Sequence, residues 1–277
     1  MNFDFESRKT ELHAKINIPF KTIEDFEEVQ DVQLSNKQTV FHFPSIYRPL
    51  LAPHSKQNQI FWNYIVSNIP HIGYNHTDIS VLTHNNKPIN GIFEASCIKT
   101  GISYHVLGKN NTTWKNLNKI DHILDFLDNC NTKYILHCDS FDAIFTGNFD
   151  LLISSLEFYE AQALFNSEEL CYPQNINIED EQRRLSSSPF CFLNSGCFFG
   201  YTEYIKQLFQ EAKKKIPYST TNPLAINSDQ GLLNQLYIDK YKGLKIDDQQ
   251  ICFICCDFGT DASKIINTLD RAKLEER

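Results

Sequence analysis

Lys133-Tyr134-Ile135-Leu136-His137-Cys138-Asp139-Ser140-Phe141-Asp142 begins as an apolar run and ends in two carboxylates three residues apart. A short apolar run bounded by turn residues reads as a strand buried on both faces. Asp139 falls where that strand stops and the chain turns. Upstream the pattern recurs. Ile79-Ser80-Val81-Leu82-Thr83 is a second short strand, ending at His84-Asn85-Asn86, and Ser103-Tyr104-His105-Val106-Leu107 is a third, closed by Gly108. Between them Asn90 to Lys99 reads as a helix, and Trp114 to Leu127 has helical spacing at Leu117, Ile120, Ile123, Leu124 and Leu127. This strand–helix alternation predicts an α/β fold, a largely parallel sheet with helices on both faces. Ligands of such sheets sit beyond the carboxyl ends of the strands, at a switch point in strand order. Thr83, Gly108 and Asp139 occupy such ends.

Downstream, Leu151 to Tyr159 reads as a helix and Ala161 to Phe165 as a strand. Asn175 to Pro189 is a long polar segment, expected to be a functional or mobile loop. Phe192 to Gly200 is a strand interrupted by polar and small residues, and Tyr204 to Lys215 an amphipathic helix whose basic last turn suits the helix dipole. Ile251-Cys252-Phe253-Ile254-Cys255-Cys256 is apolar, and no other CxxC pair accompanies it, so buried strand cysteines are expected rather than zinc ligands. Residues 1–78 are polar and mixed and are expected to form an accessory N-terminal extension, with Gln59 to Ile69 as one packed element. Residues 79–277 form the expected main domain.

The bulk numbers exclude several classes. A hydrophobic fraction of 42% and an aromatic fraction of 13% belong to a globular chain. A net charge of -8 argues against a nucleic-acid partner, which needs a basic surface. It does not argue against a nucleotide, whose diphosphate a metal ion neutralises locally. No stretch is long and apolar enough to span a membrane, and the acidic N-terminus is unlike a signal peptide. With nine cysteines, an odd number, a reducing cytoplasmic setting is expected.

Three segments carry chemistry. Asp139 and Asp142, just past a buried strand, can turn toward one cation, and hard oxygen ligands suit Mn²⁺ or Mg²⁺ bridging a nucleotide diphosphate. The same DxxD pattern also suits an acidic turn capping the next segment; position favours the metal, because an unpaired carboxylate buried at a strand end is costly. Asn194-Ser195-Gly196 puts polar side chains inside an apolar strand, where a glycine admits a ligand or marks a bulge. Ser228-Asp229-Gln230 reads either as an N-cap with a favourable acid in the first turn or as a ligand contact at the mouth of the site.

Taken in order, these segments resemble the glycosyltransferase domain of the procollagen lysyl hydroxylases. Tyr134 to Phe145 is similar to its "FVDSYDVI" segment, Phe165 to Pro173 to "FSAESFCWP", Phe192 to Gly200 to "FLNSGGFIG", and Ser228-Asp229-Gln230 with Leu236-Tyr237 to "DDQLFYTRLY". The resemblance spans about residues 79–256 and implies a GT-A-like fold, a UDP-sugar donor and Mn²⁺. By it Asp139 and Asp142 become metal ligands, with Ser140 beside the donor, Thr83 near the uridine and Lys119 near the diphosphate. A solvated lysine is the alternative for Lys119. Glu168, Asn194 and Asp229 become candidates on the sugar and acceptor side. The implied reaction moves a hexose from a UDP-sugar to an acceptor hydroxyl on a protein or glycan.

Two departures stand out. The family takes a further metal ligand from a histidine after the DDQ-like block, whereas here the last histidine is His137. An all-oxygen shell is therefore expected, completed by donor phosphates, water or one of Asp247, Asp248, Asp257 and Asp261. The acidic run before the glutamine is also reduced to Ser228-Asp229. A catalytically weak or inactive nucleotide-sugar binding module is the alternative reading.

Overall fold

The computed structural model describes residues 16–17, 40–42, 76–109, 111–113, 115–173, 176–215, 228–255 and 270–272. Strands β1 (Ile16–Asn17) and β2 (Val40–His42) precede the alternating region. That region runs β3 (Ile79–His84), α1 (Ile92–Thr100), β4 (His105–Leu107), α2 (Asn118–Leu127), β5 (Tyr134–Asp139) and β6 (Ala143–Phe145). Then come α3 (Phe149–Phe158), β7 (Ala163–Glu168), α4 (Ile176–Leu185), β8 (Phe192–Tyr201) and α5 (Thr202–Lys215). The described chain closes with α6 (Asp229–Ile238), β9 (Leu244–Ile246), β10 (Phe253–Cys255) and β11 (Asp270–Ala272).

The main sheet has the order β4-β3-β5-β8-β7-β9. Strand β3 is parallel to both β4 and β5, β7 is parallel to β9, and β8 runs antiparallel between β5 and β7. Every residue of β3 and β7 is buried, as is all of β5 except Asp139. Strands buried on both faces are dominated by apolar runs rather than alternation, and their polar residues, Thr83, His84, Asn166, Ser167 and Glu168 among them, gather toward the carboxyl ends. One face carries Tyr134, Leu136 and Cys138 against Phe93 and Cys97 of α1 and Phe149 and Leu152 of α3. The other carries Ile135, Phe165 and Phe198 against Ile120 and Ile123 of α2, Leu208 and Phe209 of α5, and Leu233 of α6. The α/β sheet with helices on both faces is the expected one.

Two local features deserve a physical reason. Helix α1 ends at Gly101, whose φ of 74° lies in the left-handed region and lets its N–H return to Ile98 O. Asn175–Pro189, expected as a loop, instead contains α4. Ile178 and Gln182 are buried on one side, with Gln182 Oε1 accepting from Leu193 N at 2.8 Å, while Glu179–Arg183 pair on the other. The segment is polar because only one narrow stripe is covered, and helical charge pairs sustain the rest. Cys252 and Cys255 are buried in or beside β10, as expected; Cys256, Trp114 and Gln59 to Ile69 lie outside the described residues.

A second, three-stranded sheet has the order β10-β2-β6. Strand β2 is parallel to β10 and antiparallel to β6, with His42 opposite Ala143. Since β6 begins one residue after Asp142, this pairing delivers an N-terminal residue to the DxxD turn.

Candidate functional site

Strand order reverses at β3, which has β4 on one side and β5 on the other, so the crevice at the ends of β3 and β5 is the switch point. Asp139 is the last residue of β5 and sits beside His84 in register. Asp142 follows in the turn and is buried. One ligand atom each from His42, Asp139 and Asp142 lie within 4.8 Å of one another. His42 Nε2 stands 4.0 Å from Asp142 Oδ1.

Gly196, in β8, explains how these atoms converge. A Cβ at that position would lie 2.8 Å from His42 Nε2, 2.9 Å from Asn194 Oδ1 and 3.2 Å from Asp139 Oδ2. Glycine keeps open a small space toward which an imidazole, an amide oxygen and a carboxylate all face. Such a mixed nitrogen and oxygen donor set fits a divalent ion.

The other oxygen of Asp139 is held differently. Lys119, buried in the first turn of α2, places Nζ 2.5 Å from Asp139 Oδ1. Burial by itself would lower the lysine's pKa, but Asp139, with Asp229 and Asp142 beyond it, raises it above the ordinary range. The ammonium is therefore charged and facing the carboxylates, not solvated.

The turn is braced from beneath. Ser140 Oγ donates to Glu94 Oε1 at 2.7 Å, Asn85 Nδ2 donates to the same oxygen at 2.6 Å, and Ser140 O accepts from Phe93 N at 3.0 Å. Gly91 lies so close that a Cβ there would collide with the Ser140 carbonyl and hydroxyl oxygens. Sequence reasoning overlooked Glu94, a buried carboxylate in an otherwise unremarkable helix start. Thr83 is fully buried at the end of β3, and its hydroxyl has no hydrogen-bond partner among the described residues.

Asp229 and Glu168 belong to one polar network through Ser195 and Gln230. Asp229 Oδ2 accepts from Ser195 Oγ at 2.8 Å, and Gln230 Nε2 donates to Glu168 Oε1 at 2.7 Å and to Tyr172 O at 3.0 Å. Burial raises the carboxyl pKa of Asp229, opposed by Lys119. Ser228 caps α6 by accepting from Gly231 N at 3.4 Å, as its sequence position suggests. Asn194 Oδ1 accepts from Gly196 N at 2.7 Å, and the register between β7 and β8 shifts at Phe165/Asn166. The bulge and the approach to the Gly196 space are thus the same feature.

The carboxylates expected as candidates to complete the metal shell are engaged elsewhere or lie outside the described residues. Asp247 is fully buried, and its carboxylate accepts from Ile251 N, Cys252 N, Phe253 N and Tyr159 Oη. It closes the loop before β10 and is not part of the group formed by His42, Asp139 and Asp142. Asp248 accepts from Ser186 Oγ at 2.6 Å, and Asp257 and Asp261 lie outside the described residues. The residue grouped with Asp139 and Asp142 is instead His42, within the N-terminal extension, which the sequence reading left without a site role. Its one local signal was Val40-Phe41-His42-Phe43, a short strand-like run. Neither of the nearer histidines belongs to the group: His84 Nδ1 and His137 Nε2 are 2.7 Å apart, and burial pushes both rings well below their ordinary pKa.

Among the described residues no helix is long and apolar enough to cross a membrane. Comparison with curated proteins gives no match. A family model described as the PLOD GT domain does match, over residues 75–254, a span running from just before β3 to β10 and holding both aspartates of the turn. The match covers well over half of the sequence, and by it the chain belongs to the PLOD glycosyltransferase-domain family.

Proposed function

We propose that this glycosyltransferase moves a hexose from a UDP-sugar to an acceptor hydroxyl, with a divalent ion, Mn²⁺ or Mg²⁺, held at Asp139 and Asp142. The observation that carries this reading is the convergence of both carboxylates with an imidazole, His42 and Asp139 bordering the space at Gly196, at the switch point of the sheet. When bound there, the ion supplies electrophilic stabilisation of the charge on a departing diphosphate.

The chain's own residues then divide the work. Asp139 and Asp142 hold the ion. Lys119 supplies a second fixed positive charge, and its contact with Asp139 keeps it at the site. Glu94 and Ser140 hold the turn so that the carboxylates need no rearrangement. Thr83 offers a buried hydroxyl in need of a partner, suited to a polar edge of the uridine. Glu168, Asn194 and Asp229 line the sugar and acceptor side. Asp229, held by Ser195 and with its pKa raised by burial, is suited to accept a proton from an acceptor hydroxyl.

The test is release of UDP from UDP-glucose, UDP-galactose and UDP-N-acetylglucosamine with Mn²⁺, with and without EDTA. Turnover of one donor that EDTA abolishes supports the reading, and metal-independent turnover refutes the DxxD assignment. A second reading, a nucleotide-sugar binding module, is favoured by one observation: Ser228 and Asp229 are both engaged within the fold, one as a helix cap and one with Ser195. Metal-dependent UDP binding without turnover of any donor would select it.

A further inference from the structure

We infer that His42, from the N-terminal strand outside the family's matched span, is the third protein ligand of the metal, and that Asn166 fixes the ring tautomer this requires. The inference rests on the reading of the DxxD turn as a metal site. It departs from the expectation from sequence of an all-oxygen shell completed by donor phosphates, water or a further aspartate.

The geometry has three parts. First, β2 is clamped between β6 and β10, and Val40 N donates to Cys252 O at 3.0 Å, so His42 is placed by two neighbouring strands rather than by a loose tail. Second, the ring is oriented. Nε2 faces the Gly196 space and Asp142, while Nδ1 lies 3.0 Å from the side-chain amide of Asn166 in β7. Third, that amide has an unresolved preference built into it. With Nδ2 toward the ring, Asn166 Oδ1 is buried with no hydrogen-bond partner among the described residues. Rotating the amide by half a turn exchanges the two atoms, an exchange that costs no change of shape.

Each orientation selects a tautomer. With the amide nitrogen donating, Nδ1 accepts, and the proton of a neutral ring sits on Nε2, facing the carboxylates. With the amide oxygen facing the ring, Nδ1–H donates to it, and the Nε2 lone pair points at the metal position. A metal-bound histidine characteristically donates its other ring N–H to an oxygen of this kind. Asn166 is thus a positioning residue that serves the ring with and without the ion. A nitrogen ligand also shifts the preference from Mg²⁺ toward Mn²⁺ and later metals.

The experiment uses the full chain without nucleotide. Electron spin-echo envelope modulation of the Mn²⁺-loaded protein should show a directly coordinated ¹⁴N, lost in His42→Gln. Calorimetry should show Mn²⁺ binding without UDP, weakened by about 10- to 100-fold in His42→Gln and by a similar factor in Asn166→Leu. Asn166→Asp, which keeps an oxygen for Nδ1–H, should restore it. The spectrum of the unaltered protein decides the matter even where a variant fails to fold. Absence of a ¹⁴N coupling, or Mn²⁺ affinity unchanged in a folded His42→Gln protein, overturns the inference. UDP-sugar turnover that persists with such an outcome would leave the proposed function standing; a ¹⁴N-coordinated ion with no UDP binding would do the reverse.

Discussion

Asp139 and Asp247 hold the same place in two halves of one sheet. Asp139 is the last residue of β5 and Asp247 the first after β9, so each stands at the carboxyl end of a strand. Their surroundings are opposite. Asp247 is fully buried and accepts four hydrogen bonds, three from successive backbone N–H groups. Asp139 is partly exposed, meets a lysine through one oxygen, borders the Gly196 space beside an imidazole with the other, and has a second carboxylate close by. A carboxylate at a strand end is structural where backbone donors are supplied to it. Where other acceptors are gathered around it instead, as at Asp139, the carboxylate is a candidate ligand. Like charges assembled at a cost in free energy point to a cation that belongs there.

Exchanging the two roles by mutation should give the largest effects and the clearest break. Asp139→Asn should reduce metal-dependent UDP release by more than about 100-fold, since altering even a supporting partner of a metal ligand costs up to that much. Its melting temperature should move little. Steady-state kinetics beside a thermal melt read both, and a folded Asp139→Asn enzyme with normal turnover would collapse the distinction.

Asp247→Ala should do the converse. It leaves three buried N–H groups without their acceptor, at about 1–3 kcal/mol for each group left unsatisfied, so a loss of at least about 3 kcal/mol is expected. Urea unfolding should show a lower midpoint with an unchanged slope. If Asp247→Ala is as stable as the parent and loses Mn²⁺ affinity instead, the carboxylate belongs to the metal after all.

Lys119→Met sharpens the comparison from the side of charge. Lys119 partly neutralises Asp139 in the nucleotide-free protein, so its removal should tighten Mn²⁺ binding. UDP binding in the presence of Mn²⁺ should weaken, because the diphosphate loses a counter-charge. Calorimetry on both ligands would expose a lysine that serves folding alone, which would change neither.

Asn194→Ala is the smallest effect. Its side chain both satisfies Gly196 N and reaches the ligand space, so stability should fall by about 1 kcal/mol and turnover should fall further than stability predicts. A lower melting temperature with unchanged kinetics would assign it to the bulge alone.

What the sequence determined by itself was whatever depends on neighbours along the chain. Buried strands announce themselves as apolar runs, α2 by its spacing at Ile120, Ile123 and Leu127, and the DxxD turn by following a strand directly. Ser228 as a helix cap was equally local. Even α4 failed only because its buried stripe is two residues wide, Ile178 and Gln182, too little for a periodicity to register. The third member of the candidate metal group was beyond any such reading. His42 reaches Asp142 because β2 pairs with β6, a contact between distant segments with no imprint on the residues near either one. The same holds for Asp247, whose role was decided by where the loop before β10 folds back to present its N–H groups. Side-chain chemistry lists what a residue can bind; only the path of the backbone determines whether donors or acceptors arrive to meet it.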